Sequence, residues 1–177
     1  AFGAHTVTLQ RWGEGPDFGG FDARARQRRP RITYEDWEAV KDQITIPANV
    51  GAVSNTGGEI VADNGQSVEN VQIHAVSPEI MVIRDWVVEK GRTFSPQEAE
   101  RGTPVVVLGT ETADLLFENL DPIGRRVRIR GFPYRVIGIL KEQGSMMGQS
   151  LDNQAIAPAR SPIQAVTNPR GIVGQVV

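Results

Sequence analysis

The chain has 177 residues with 40% apolar and 23% charged content, a formal net charge of -2 and no cysteine. One ordinary domain, or two small ones sharing a core, fits this length, and the charge gives no bulk bias towards nucleic acid or an anionic bilayer. Disulfides, thiolate chemistry and cysteine-based metal sites are excluded; no apolar run approaches the roughly 18 residues of a membrane helix, and no leader pattern stands at Ala1.

His5 to Arg11 alternates, with Val7 and Leu9 on one face, and reads as a strand in need of a sheet partner. Gly13 to Arg31 is rich in glycine and arginine, which predicts a long mobile loop. Thr33-Tyr-Glu-Asp36 has the spacing of a capping box, with Tyr34, Trp37, Val40 and Ile44 as the apolar stripe of the helix it opens and Pro47 as its stop. Val50 to Ser54 and Gly58 to Ala62 read as strands. Asp63-Asn64-Gly65 supplies the positive-φ residues of a hairpin turn, and Ser67 to Val76 is the returning arm.

Ser77-Pro78 breaks that arm, and a short helix over Pro78 to Val82 is expected before an irregular approach to Gly91. Ser95-Pro96-Gln97-Glu98 is a second capping box with proline at the first helical position. Pro104 to Leu108 has the length and β-branching of a buried strand. The helix after it is expected to be capped by Thr110, to bury Ala113, Leu116, Phe117 and Leu120, and to stop at Asp121-Pro122.

Past Gly124 the period becomes two, with Val127 and Ile129 opposite Arg126, Arg128 and Arg130. A turn centred on Gly131-Phe132 leads into Tyr134 to Leu140, and Pro133 marks this end of the hairpin as a sheet edge. Glu142 to Asn153 reads as a polar loop around Ser145-Met-Met-Gly148. Gln154 to Ala157 reads as one more strand, and Ser161-Pro162 opens a short helix.

Chemistry is sparse. His5 and His74 are the only histidines and neither has a second ligand at metal spacing, so each reads as an ordinary strand histidine. The chain has no Gly-x-Ser-x-Gly elbow, no Gly-x-x-x-x-Gly-Lys-Ser/Thr loop and no Gly-x-Gly-x-x-Gly loop, so it carries no ATP-hydrolysing motif. Glu35-Asp36 and Glu98-Glu100 sit at helix starts, where the helix dipole accounts for them. Arg24, Arg26, Arg28, Arg29 and Arg31 form either a solvated loop or a phosphate-binding run. The arginines of the Arg126 to Arg130 face read as the wet side of an edge strand, where cations discourage edge pairing. Met146 and Met147 read either as an adaptable contact patch or as a plug beneath their loop.

The block VVVLGTETADLLFENLDPIGRRVRIRGFPYRVIGIL contains an apolar strand ending in Leu-Gly, a helix closing in Leu-Phe, Asp-Pro-Ile-Gly, a basic strand and a Val-Ile-Gly strand. It resembles the MacB-like periplasmic core domain of ABC-transporter permeases of the MacB, FtsX and LolC type. Gly91-Arg92-Thr93-Phe94 matches the Gly-Arg-x-Phe pattern of that family.

The resemblance implies an α+β fold in two subdomains. A split Porter-like α/β piece would comprise residues 1–75 plus 143–177, shortened at its C-terminal end, and an inserted Sabre-like mixed α/β piece would comprise residues 76–142. It further implies an extracytoplasmic, periplasmic domain of an inner-membrane permease, flanked by membrane helices and itself non-catalytic, without metal or cofactor. Such a domain would couple ATP-driven motion of the membrane helices to a membrane-fusion adaptor or periplasmic carrier protein, in efflux, export or lipoprotein release. The cognate ATPase would be separate or fused, the full-length protein dimeric and the isolated domain monomeric. The join between subdomains favours partner contact for Ser145, Met146, Met147 and Gly148. The alternative is a free-standing binding or scaffold module that takes anionic ligands on Arg24 to Arg31.

Overall fold

Reciprocal capping fixes the first helix among the described residues. The Thr33 hydroxyl accepts the Asp36 N–H (3.2 Å) while the Asp36 carboxylate accepts the Thr33 N–H (2.7 Å), opening α1 (Tyr34–Gln43). This computed structural model describes residues 7–10, 30–45, 48–167 and 174–177. Trp37 is the buried residue of α1 and donates its indole N–H to Val50 O (3.0 Å); Ile44, expected in the same stripe, is exposed. Pro47, the expected stop, lies outside the described residues.

Short β1 (Leu9–Gln10) pairs antiparallel with β11 (Gln175–Val176), which supplies the partner that alternation required. The two strands read over Val50 to Ala62 are one, β2 (Ala52–Ala62), which passes through Gly57 and Gly58 with a bulge before Ile60. Its hairpin with β3 (Ser67–Val76) turns on Gly65 alone at positive φ, with Gly65 N–H bonded to Ala62 O. Then come α2 (Glu79–Ile83) and β4 (Val88–Gly91). The segment expected to be irregular is therefore a strand, held by its pairing with residues 138–140.

The second capping box is also present, Ser95 with Glu98, and opens α3 (Pro96–Arg101), which Gly102 closes in the left-handed conformation. β5 (Val105–Leu108) is buried throughout. α4 (Thr110–Phe117) starts one residue earlier than expected: Gly109, not Thr110, is the cap. It also ends earlier, because Glu118 takes positive φ (48°), leaving Leu120 off the helix and exposed.

In the next hairpin, β6 (Arg126–Ile129) and β7 (Phe132–Leu140) pair Ile129 with Phe132, so the turn is Arg130-Gly131 and not Gly131-Phe132. Both turn residues have positive φ (49° and 88°), the mirror-image geometry that suits strand twist. Pro133 falls beyond β5, whose first partner on β7 is Arg135, so its missing N–H costs no ladder bond there. The expected polar loop contains a small hairpin, β8 (Ser145–Met146) with β9 (Gln149–Ser150). β10 (Gln154–Pro158) and a short α5 (Gln164–Thr167) follow.

The pairings β2–β3, β3–β10, β10–β5, β5–β7, β7–β6 and β6–β2 close on themselves, so these strands form a ring. Each strand then needs two apolar sets only where both faces are covered. β5 shows this most clearly: Val106 and Leu108 join one core with Ile60, Ile73, Phe117, Ile129 and Tyr134, while Val105 and Val107 join a second with Ile80, Phe94 and Ile156. Helix α4 packs into the first core and α2 with α3 into the second. The molecule is thus a mixed α/β fold. β10 is parallel to β3 and antiparallel to β5, and lies between them. Among the described residues no helix is long and apolar enough to cross a membrane.

Candidate functional site: an anchored methionine hairpin

Ser145, Met146, Met147 and Gly148 stay together at the tip of the β8–β9 hairpin. Ser145 faces Ser150 and Met146 faces Gln149. Met147 (φ 51°) and Gly148 (φ 81°) make the turn, again in mirror-image geometry that an unbranched side chain tolerates better than a β-branched one. Met147 is 97% exposed and Met146 62%. Neither plugs a gap beneath the loop.

The base of this hairpin is fixed by a carboxylate. Asp152, only 5% exposed, accepts the N–H of Gln143 (2.8 Å) and of Gly144 (2.7 Å), one on each oxygen. The Asp152 N–H is accepted by Ser150 Oγ (3.1 Å), which donates to Glu111 at the start of α4. Asn153 continues the tether, accepting Thr112 Oγ1–H on its side chain (3.1 Å) and Gln72 N–H on its carbonyl (3.1 Å). Charge-assisted bonds of this kind are the stronger class. A rigid polar base therefore carries a flexible thioether tip, an arrangement suited to adaptable apolar contact.

The remaining candidates fall into structural roles or outside the description. His5 and Arg24 to Arg29 lie outside the described residues. His74 is buried, with its Nδ1–H donated to Asn55 Oδ1 (2.7 Å) and its ring against Trp86 (centroids 5.0 Å). Burial above all, and the Arg84 charge, push its imidazolium down to about 4, against a hydrogen bond with Gln154 that acts the other way. No group of three or more metal-ligating side chains occurs among the described residues. Glu98 is held down at about 2 by the Arg92 fork and then by the Ser95 N–H, which accounts for it as a cap.

Sequence reasoning missed Asp152, Ser150 and Glu111. They lie up to 41 positions apart in sequence, so no local spacing reports them; an aspartate after the glycine-bounded stretch Gly144 to Gly148 is the only hint. It also missed a cleft between α1, α2 and α3. There Arg160 lies over the Tyr34 ring (4.5 Å) and pairs with Glu38 (2.8 Å), and burial raises the Tyr34 phenol to about 12.

Residues 3–176 match the description of the MacB-like periplasmic core domain. The chain is 35% identical over 130 residues to the macrolide export ATP-binding/permease protein MacB of Bdellovibrio bacteriovorus, covering 73% of this chain and 20% of that protein. It is 27% identical over 159 residues to the pyoverdine export ATP-binding/permease protein PvdT of Pseudomonas aeruginosa, covering 89% and 22%. The chain thus spans about one fifth of the length of these curated relatives. Among solved structures, the periplasmic region of MacB from Actinobacillus actinomycetemcomitans superposes with a TM-score of 0.72 at 18% identity, covering 89% of this chain and 69% of that one. The extracellular domain of the transporter YknZ from Gram-positive bacteria gives 0.69 at 21%, covering 82% and 71%. With a family match across nearly its whole length and the same fold in solved members, this chain belongs to the MacB-like periplasmic core domain family.

Proposed function

We propose that the chain is the extracytoplasmic domain of an export permease, held in the inner membrane by segments flanking it, that transmits ATP-driven motion to a partner outside the membrane. On this reading the ATPase, separate or fused, and the dimeric membrane part lie elsewhere in the assembly. The domain itself does no chemistry. Its partner is a membrane-fusion adaptor or a periplasmic carrier protein, and the contact is the Ser145–Gly148 tip. The observation that carries this is the pairing of a fully exposed Met147 with a base pinned by Asp152. Such a lever passes displacement without bending.

The division into a Porter-like piece, residues 1–75 plus 143–177, and a Sabre-like piece, residues 76–142, belongs to the same proposal. Strands of both pieces share one ring, so they would move as a single body.

The domain has no cysteine of its own, so a single one can be placed at the tip once any cysteines elsewhere in the permease are replaced. Met147→Cys is labelled with a photo-crosslinker in the full-length permease, and an adaptor or carrier protein is expected in the crosslinked product. Crosslinking that persists unchanged when Met146→Asp is added, or that yields only lipid, would remove the tip from the contact.

A further inference from the structure

The arginines of β6 have no edge to protect. β6 is hydrogen-bonded on both sides, to β7 through its whole length and to β2 through Ile60 to Ala62, so edge protection does not explain them. Val127 and Ile129 enter the ring, which leaves Arg126 and Arg128 on its outer face, exposed.

Arg126 is directly opposite Arg135 on β7. The Arg135 N–H is spent on Pro104 O (3.0 Å), away from β6, so the two arginines form a non-hydrogen-bonded pair. Side chains approach most closely in pairs of that kind, and like charges there are unfavourable. Arg128 stands two residues further along the same face, with Pro133 and half-buried Val61 as its cross-strand neighbours. Nearby cations are occupied: Arg125 contacts Asp63 (3.4 Å) and Arg130 donates to Gly57 O (2.9 Å). Among the described residues, Arg126, Arg128 and Arg135 take part in no ion pair.

We infer that this outer face of the β6–β7 hairpin docks an acidic, extended segment of a partner polypeptide. Guanidinium forks match carboxylates in bidentate geometry. The two-residue step from Arg126 to Arg128 equals the repeat of same-face side chains on an extended chain. A bilayer is the poorer fit, because no large exposed apolar side chain accompanies the three cations on this face to enter the lipid. This surface is separate from the methionine tip, and the inference holds whether or not the tip is the adaptor contact.

The probe is a labelled twelve-residue peptide of alternating glutamate and threonine, with its glutamine counterpart as control, titrated against the 177-residue chain. Binding that weakens tenfold or more in the Arg126→Gln, Arg128→Gln, Arg135→Gln variant, and with added salt, is expected. Replacing the five arginines from Arg24 to Arg31 by glutamine should change it less than threefold. Loss confined to that second variant, binding of anionic vesicles in place of the peptide, or equal binding of the glutamine peptide would each overturn the proposal. Single Arg135→Gln should raise Tm, since it relieves the opposed pair; a fall in Tm would show that the pair is not a cost the fold carries for a partner.

Discussion

Gly91 and Gly138 face each other across β4 and β7, and neither position has room for a side chain. A Cβ on Gly91 would lie 2.2 Å from Ile137 O, and one on Gly138 would lie 2.4 Å from Arg92 O. These are the glycines of the Gly-Arg-x-Phe and Val-Ile-Gly patterns. Each lets the other strand come close.

Gly138→Ala is therefore expected to lower stability by about 2–4 kcal/mol, beyond ordinary overpacking because the obstructing atom is backbone. Gly91→Ala should be at least as damaging, since Gly91 also has positive φ (76°). Chemical denaturation of the two variants checks this; an unchanged midpoint for either would contradict the close approach.

Arg92, next in the chain, grips Glu98 with both guanidinium nitrogens (2.7 and 2.9 Å) and so ties β4 to the first turn of α3. Arg92→Lys loses the fork, and a double-mutant cycle with Glu98→Gln should give a coupling of about 0.5–1 kcal/mol, the range for an exposed pair. The Glu98 carboxyl is lowered from 4.5 to about 2. Its contribution is thus complete above pH 4.5 and fades as pH falls towards 2. A coupling that stayed constant across that window would rule the carboxylate out as the titrating partner.

Asp152→Asn should release the hairpin base while leaving the ring intact. The two N–H groups use different carboxylate oxygens, and in the amide one of these becomes an NH2 that cannot accept, so the loss should be about 1–3 kcal/mol, felt locally. Hydrogen exchange is the appropriate probe: the amides of Gln143 and Gly144 should exchange faster, while those of β5 stay protected. Protection lost evenly throughout would mean that Asp152 supports the whole core and not the hairpin.

His74 gives the domain an acid-sensitive element. Its folded-state value of about 4 lies below the ordinary 6.5, so the unfolded chain binds the extra proton first. Stability is full above about pH 6.5 and declines as pH falls towards 4, by up to about 3 kcal/mol. His74→Gln should flatten that part of the profile of Tm against pH. An identical slope in the variant would assign the acid sensitivity to other groups.

What could be read from the sequence was what is local. Both capping boxes, at Thr33 and Ser95, are visible because the donor and acceptor are three residues apart. The β6–β7 turn was misplaced by one residue because Arg130, which sequence rules would keep at negative φ, takes the left-handed conformation with its side chain bonded to Gly57 O and Thr56 Oγ1. β4 was missed because Val88–Gly91 has little strand character of its own and depends on the close pairing with Gly138. Ser145 to Gly148 read only as part of a polar loop, and neither their hairpin nor its anchor was legible, since Asp152, Ser150 and Glu111 meet only in three dimensions.

The position of β10 also orders events during synthesis. Gln154–Pro158 follows both β3 and β5 in the chain, yet it fills the gap between them. Until it arrives, both strands present unpaired edges, and those edges are rich in apolar residues: Ile73, Ala75 and Val76 on one and Val105 to Leu108 on the other. A nascent domain that still lacks β10 is then an open, self-adhesive sheet. Synthesis of β10 converts it to a closed one, so a delay between β7 and β10 exposes the domain to aggregation and to holding chaperones.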